Sequence, residues 1–246
     1  MEFIKRIIKF AAILPCMVVL VNSCKSQDDN GLINNSTYSV AAIPELNNFL
    51  TFNKNEKRLD SLNSRYDRRM DSLVLADTTK KKFLKKKDFK NNRSRIFMDS
   101  YTNGKLTDVG PNPNIGFPTP CECYTTHDSV FVKMGVGFFG GIGFNIKISG
   151  NHFLSSFFNY TDDVKPFKSD LKDTAFYDYA IAKSKYQYLI LDQKPDYKPG
   201  QQLTGYLTYT TNDYYEKAYG DALDSIYVKG KIYFTCKTRY KTEWDK

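Results

Sequence analysis

The sequence predicts an α+β chain organised by segment: a basic helical extension resembling an αα-hairpin on the N-terminal side, then a mainly antiparallel β-sandwich or barrel. Three observations carry this reading. From Leu59 to Leu73 apolar residues recur at steps of three and four, and a weaker helical pattern follows over 80–101. After residue 121 the period drops to two, and turn clusters separate the runs. Aromatics make up 15% of the chain, including 18 Tyr and 18 Phe, a composition that favours strands.

The helical region is expected over 45–107. Asn53 with Glu56 three residues on suits a capping box. Leu59, Leu62, Tyr66, Met70 and Leu73 then form one apolar stripe on an otherwise charged helix. Asp77-Thr78-Thr79 breaks that stripe and caps a second helix over 80–101, which Gly104 stops. This second stretch, KKKFLKKKDFKNNRSRIF, carries nine Lys/Arg. Residues 54–95 hold 15 Lys/Arg against 6 Asp/Glu, whereas residues 121–246 hold 16 against 15. The net charge of +9 therefore belongs to one segment. Lys80, Lys81, Lys82, Lys85, Lys86 and Lys87 are its candidate contacts to a membrane or another anionic surface.

Residues 108–120, DVGPNPNIGFPTP, hold four prolines and two glycines and read as a linker. The β domain is placed at 121–246. DSVFVKM and FNIKISG alternate on either side of a glycine-rich stretch, and HFLSSFFNY, YQYLILD, QQLTGYLTYT and SIYVKGKIYFTCKTRY follow as further strands. Residues 170–182 are expected to form a short crossing helix. The last run is long enough to bend, or to split at Gly230.

Gly135 to Gly140 spells G-x-G-x-x-G, but a dinucleotide site needs a helix after it and strand-like FNIKIS follows. The glycines are instead expected to bend a pair of core strands. Only two histidines occur, His127 and His152, and no G-x-S-x-G or H-E-x-x-H motif is present. No catalytic residue, cofactor or metal is assigned. Cys121, Cys123 and Cys236 admit three readings. Cys121 or Cys123 pairs with Cys236 in a disulfide; all three stay free thiols; or they hold a metal with His127, although C-x-C is tight for structural zinc. Asp162, Asp163, Asp170 and Asp173 suit a solvated turn better than a calcium loop.

At the start of the chain, Lys5, Arg6 and Lys9 precede an uncharged run from Phe10 to Val21. That run is too short for a ~30 Å hydrocarbon core, which needs about 20 residues. Val21-Asn22-Ser23-Cys24 resembles the lipobox of bacterial lipoproteins. The resemblance implies a signal peptide over 1–23, cleavage after Ser23, diacylglycerol on the Cys24 thiol, a further acyl chain such as palmitate on the new amino group, and a flexible tether over 24–44. Lys25 to Asp29 resembles the export signal of Bacteroidota surface lipoproteins, which implies an outer-membrane location with exposure at the cell surface.

Asp followed by Ser or Thr and a small or apolar residue occurs six times and resembles the O-glycosylation motif of that phylum. It implies candidate sites at Ser61, Ser72, Thr78, Ser129, Thr174 and Ser225, although the same pairs also suit turns and helix caps. The expected role is a non-enzymatic binding or accessory module. It would be held at the membrane by its lipid, with a protein or glycan partner in the envelope and no nucleic acid. The rival readings are an envelope hydrolase with an unrecognised site and a structural spacer.

Overall fold

The computed structural model describes residues 36–46, 92–109, 116–137, 140–162, 164–218 and 222–241. Among them the complete regular elements are thirteen β-strands. The expected α+β organisation with a helical extension is thus corrected to a β fold, antiparallel apart from two short parallel pairings. The apolar stripe from Leu59 to Leu73 and the six lysines between Lys80 and Lys87 lie outside the described residues.

The stretch expected as a second helix ends instead as β3, Arg93–Thr102. From Ser94 its side chains alternate, with Ser94, Ile96 and Met98 turned toward the core and Arg95, Phe97 and Asp99 away from it. β3 pairs along its whole length with β13, Leu223–Tyr240, so long-range pairing overrides the local lysine-rich pattern. The expected linker also contributes strand. β4 spans Lys105–Val109 and β5 spans Phe117–Thr125. Proline cannot donate to a ladder. Accordingly Pro118 and Pro120 fall where β5 has one neighbour, β3, and pairing with β6 begins only at Cys121.

Eight strands close a ring. β6 (Ser129–Gly137), β7 (Gly140–Ser149) and β8 (His152–Thr161) continue from β5 as a meander. β10 (Tyr179–Leu191) pairs with β8 through its first residues and with β11 (Gln202–Thr211) through the rest. β11 pairs with β13, and β13 returns to β3, which completes the circle through β5. Two strands change partners to turn the corners: β5 at Pro120/Cys121, and β10 at a register shift between Ser184 and Tyr186. The short helix expected over 170–182 is a turn followed by the start of β10. The last run is one strand through Gly230, with no break in register.

Alternation fills the ring. Val130, Val132, Ile146, Ile148, Leu189, Leu203, Leu207, Ile232 and Phe234 are fully buried. Phe144 on β7 reaches across to Phe157, 5.3 Å away, and to Tyr209 of the opposite wall, 4.2 Å away. Each fully buried side chain of this size contributes roughly 1.5–3 kcal/mol.

Where β8 and β10 diverge, part of the expected tether fills the gap. β1 (Ser36–Thr37) pairs with the start of β8, and β2 (Ser39–Val40) runs parallel to the end of β10. The Gln187 side chain completes the seam. Its Oε1 accepts from the Ser155 amide at 2.9 Å and the Ser155 hydroxyl at 2.8 Å, and its Nε2 donates to Ser36 Oγ at 3.1 Å. The described residues form one unit with this ring; residues 1–35 lie outside them.

The far end is covered by β9 (Phe167–Lys168) paired with β12 (Tyr214–Lys217), which insert Phe167 and Tyr214 into the core. Desolvation pushes the Tyr214 phenol up to about 12, against a weaker opposing effect of the hydrogen bond from Asn159 Nδ2. A phenol raised in the folded state contributes fully below its unfolded value near 10, and that contribution is lost as pH rises toward 12. About 2–3 kcal/mol should disappear across this window. Tyr214→Phe should flatten the alkaline limb of the stability curve, read by urea denaturation at stepped pH.

Candidate functional site

β10 opens with Tyr179-Ala180-Ile181-Ala182. Period-two geometry turns the two alanines inward, where they are buried, and leaves Tyr179 and Ile181 outside at 46% and 45% exposure. Tyr177, just before the strand, is exposed as well, and its ring lies 5.7 Å from that of Tyr179. On β8 the register places Tyr160 beside Tyr179 and Phe158 beside Ile181. The row therefore widens into a patch of aromatic and aliphatic side chains over two strands.

The next strand supplies the floor. Gly143 pairs with Phe158 on one side and with Gly135 on the other. A Cβ on Gly143 would collide with the Phe158 ring and with the Met134 carbonyl oxygen. The end of the ring thus sits over the glycine pair and the residue is half-buried. The glycine-rich hairpin has strand on both sides, and its glycines make room for an outer aromatic as well as bending the strands.

Several other outward aromatics are capped by cations. Lys133 and Arg239 lie over Tyr124, Lys147 over Phe131, Lys231 over Phe97, and Lys229 over the stacked Tyr101 and Tyr227. Arg95, Phe97 and Tyr233 also point away from the core but are buried; desolvation raises the phenols of Tyr206 and Tyr233, helped by Glu45 at Tyr206 and by Tyr206 and then Glu45 at Tyr233. Among the described residues no cation is placed over Tyr177 or Tyr179. This patch is bare.

The three core thiols come together. Positions 121 and 123 lie two apart on β5 and face inward, and Cys236 meets them from β13. Cys123 and Cys236 form a disulfide with Cα atoms 5.8 Å apart, inside the usual range. Cys121 is a buried free thiol, and burial pushes its ionisation up. All three Sγ atoms lie within 4.8 Å of one another. His127 and His152 are exposed and do not join the group.

Cys24, Ser61, Ser72 and Thr78 lie outside the described residues. Ser129 is buried, and its hydroxyl donates to Asp128 Oδ1 at 3.0 Å. That bond, with others, holds the exposed Asp128 carboxyl below its ordinary value. Ser225 is half-buried and donates to Asp213 Oδ2 at 2.6 Å. Thr174 is exposed, next to Asp173, whose carboxylate accepts from the Ser169 and Asp170 amides. The Asp128-Ser129 and Asp173-Thr174 pairs sit in turns held by their carboxylates, Ser225 bonds across to Asp213 from within β13, and of the three hydroxyl residues only Thr174 is exposed.

The Tyr177–Ile181 row was not foreseen, because 170–182 reads as a helix. The available signal was Ala180 and Ala182 alternating with larger residues. No protein-family model matches the chain, and no curated protein compared with it is significantly similar.

Proposed function

We propose that the protein is an envelope lipoprotein, anchored through Cys24, that works as a non-enzymatic binding module through the patch formed by Tyr177, Tyr179, Ile181, Phe158 and Tyr160. The observation that carries the binding half is the bare row on β10: large apolar side chains outside a filled ring, on a rigid strand rather than a loop. Tyrosines held this way present wide contact area at low entropic cost, as interface anchors do. The lipobox resemblance of Val21 to Cys24 supports the anchoring half. A spacer has no use for such a row, and neither histidine lies with the three core thiols.

One experiment tests both halves. Cys24→Ser should abolish incorporation of labelled palmitate and move the chain from the membrane to the soluble fraction. In the acylated chain, the pair Tyr179→Ala and Ile181→Ala should lower recovery of the wild type's main envelope partner at least about tenfold, since each anchor residue contributes about 1–2 kcal/mol. The melting temperature should barely move, because exposed substitutions stay within about 0.5 kcal/mol. Equal recovery by the variant overturns the binding half; unchanged fractionation overturns the anchoring half.

A further inference from the structure

We propose that Cys121 is a second partner for Cys236, so that the contact between β5 and β13 can be closed by either of two disulfides that interconvert by thiol–disulfide exchange. The geometry supplies the reason. β13 runs parallel beside the end of β5, with Thr238 opposite Cys123, Arg239 opposite Tyr124 and Tyr240 opposite Thr125. Carried two residues back, the same register sets Cys236 beside Cys121, while the existing bridge runs diagonally to Cys123. Neighbouring strands lie about 4.8 Å apart, within the span a disulfide can close. The three sulfurs already lie within 4.8 Å of one another.

The exchange needs no oxidant or reductant. Cys121 loses its proton and attacks Cys236 Sγ. The Cys121–Cys236 bond forms as the Cys123–Cys236 bond breaks, and Cys123 leaves as a thiolate that takes up a proton. Attack on Cys123 instead would join two residues of one extended strand, whose Cα atoms stand about 6.7 Å apart, at the upper limit for a bridge. Burial of Cys121 keeps its thiolate scarce in the closed ring. Exchange therefore belongs to folding and to transient opening, when the thiols meet solvent. Either product fastens the same two strands.

Cys123→Ala, folded under oxidising conditions and mapped as unreduced peptides, should contain a Cys121–Cys236 bridge. A folded variant with both thiols free overturns the proposal. If the variant does not fold, the wild type decides. Wild-type protein is held in sub-denaturing urea at mildly alkaline pH and quenched with acid. Free thiols are then blocked with one reagent, and the remainder are reduced and marked with another. Blocked Cys123 alongside blocked Cys121 supports exchange. Blocked Cys121 alone overturns it, as does purified protein carrying a stoichiometric soft metal on three free thiols.

Discussion

Gly230→Ala should be among the most damaging single substitutions in this chain. Gly230 pairs with Tyr209 on β11 and with Met98 on β3, in the middle of the longest strand. A Cβ at this position would fall far inside van der Waals contact with the Phe97 carbonyl oxygen, and only 2.7 Å from the Tyr209 hydroxyl. The first obstacle is backbone, so no side-chain rotation relieves it. Relief requires β3 and β13 to separate at the point where they close the ring, and it breaks the bond from the Tyr209 hydroxyl to Phe97 O at 3.4 Å. A cost of about 3–5 kcal/mol is expected, a large share of the ~5–15 kcal/mol that typically separates folded from unfolded chains. The melting temperature should fall by roughly 6–20 °C. Gly150→Ala is the control. Its φ is +58°, but nothing lies within 4 Å of the added carbon, so only the left-handed backbone is penalised, at about 1 kcal/mol. Equal melting temperatures for the two variants would refute the steric argument.

This position also marks the limit of what sequence alone discloses. SIYVKGKIYFTCKTRY reads plainly as strand, and a glycine within it reads as a bend or break. What Gly230 does depends on Tyr209 and Phe97, residues on two other strands, and no local pattern names them. The same limit explains β3. The residues from Ser94 onward alternate cleanly, but nine Lys/Arg over 80–97 look locally like a charged helix face. Pairing with β13, more than 120 residues away, decides the matter. Pro118 and Pro120 misled in the opposite direction. Proline excludes a central strand with two neighbours, but not a strand with one neighbour at a corner.

The site was less legible than the fold. Strand alternation after residue 121 needs only local information, and most of those runs appear as strands. An exposed binding row needs knowledge of which face is outside. In Tyr179-Ala180-Ile181-Ala182 the larger residues face out, which reverses the usual rule. That reversal is visible only once the register with Phe157 and Phe158 places the alanines inward. The cysteines fall between these cases. C-x-C on a strand puts both thiols on one face by geometry alone, whereas the choice of partner for Cys236 depends on the parallel register of β5 and β13.

Cys236→Ala should cost far more than either Cys123→Ala or Cys121→Ala. The bridge joins residues 113 apart, and in the chain-entropy model a loop of that size contributes about 4–5 kcal/mol by restricting the unfolded chain. It also fastens β13 to β5 where their parallel pairing extends only over Thr238, Arg239 and Tyr240. Cys236 is the partner that both possible bridges require, so its removal leaves no disulfide. Cys121→Ala keeps the existing bridge and loses one buried thiol, at roughly 1 kcal/mol. Cys123→Ala separates two ideas. If the diagonal bridge is the only one available, this variant should be as unstable as Cys236→Ala. If Cys121 takes over, its urea midpoint should lie close to that of Cys121→Ala. Reduction of each protein supplies the internal check. Dithiothreitol should lower the midpoint of wild type, Cys121→Ala and Cys123→Ala alike. It should leave Cys236→Ala where it was, because a reductant can remove only a bridge that exists.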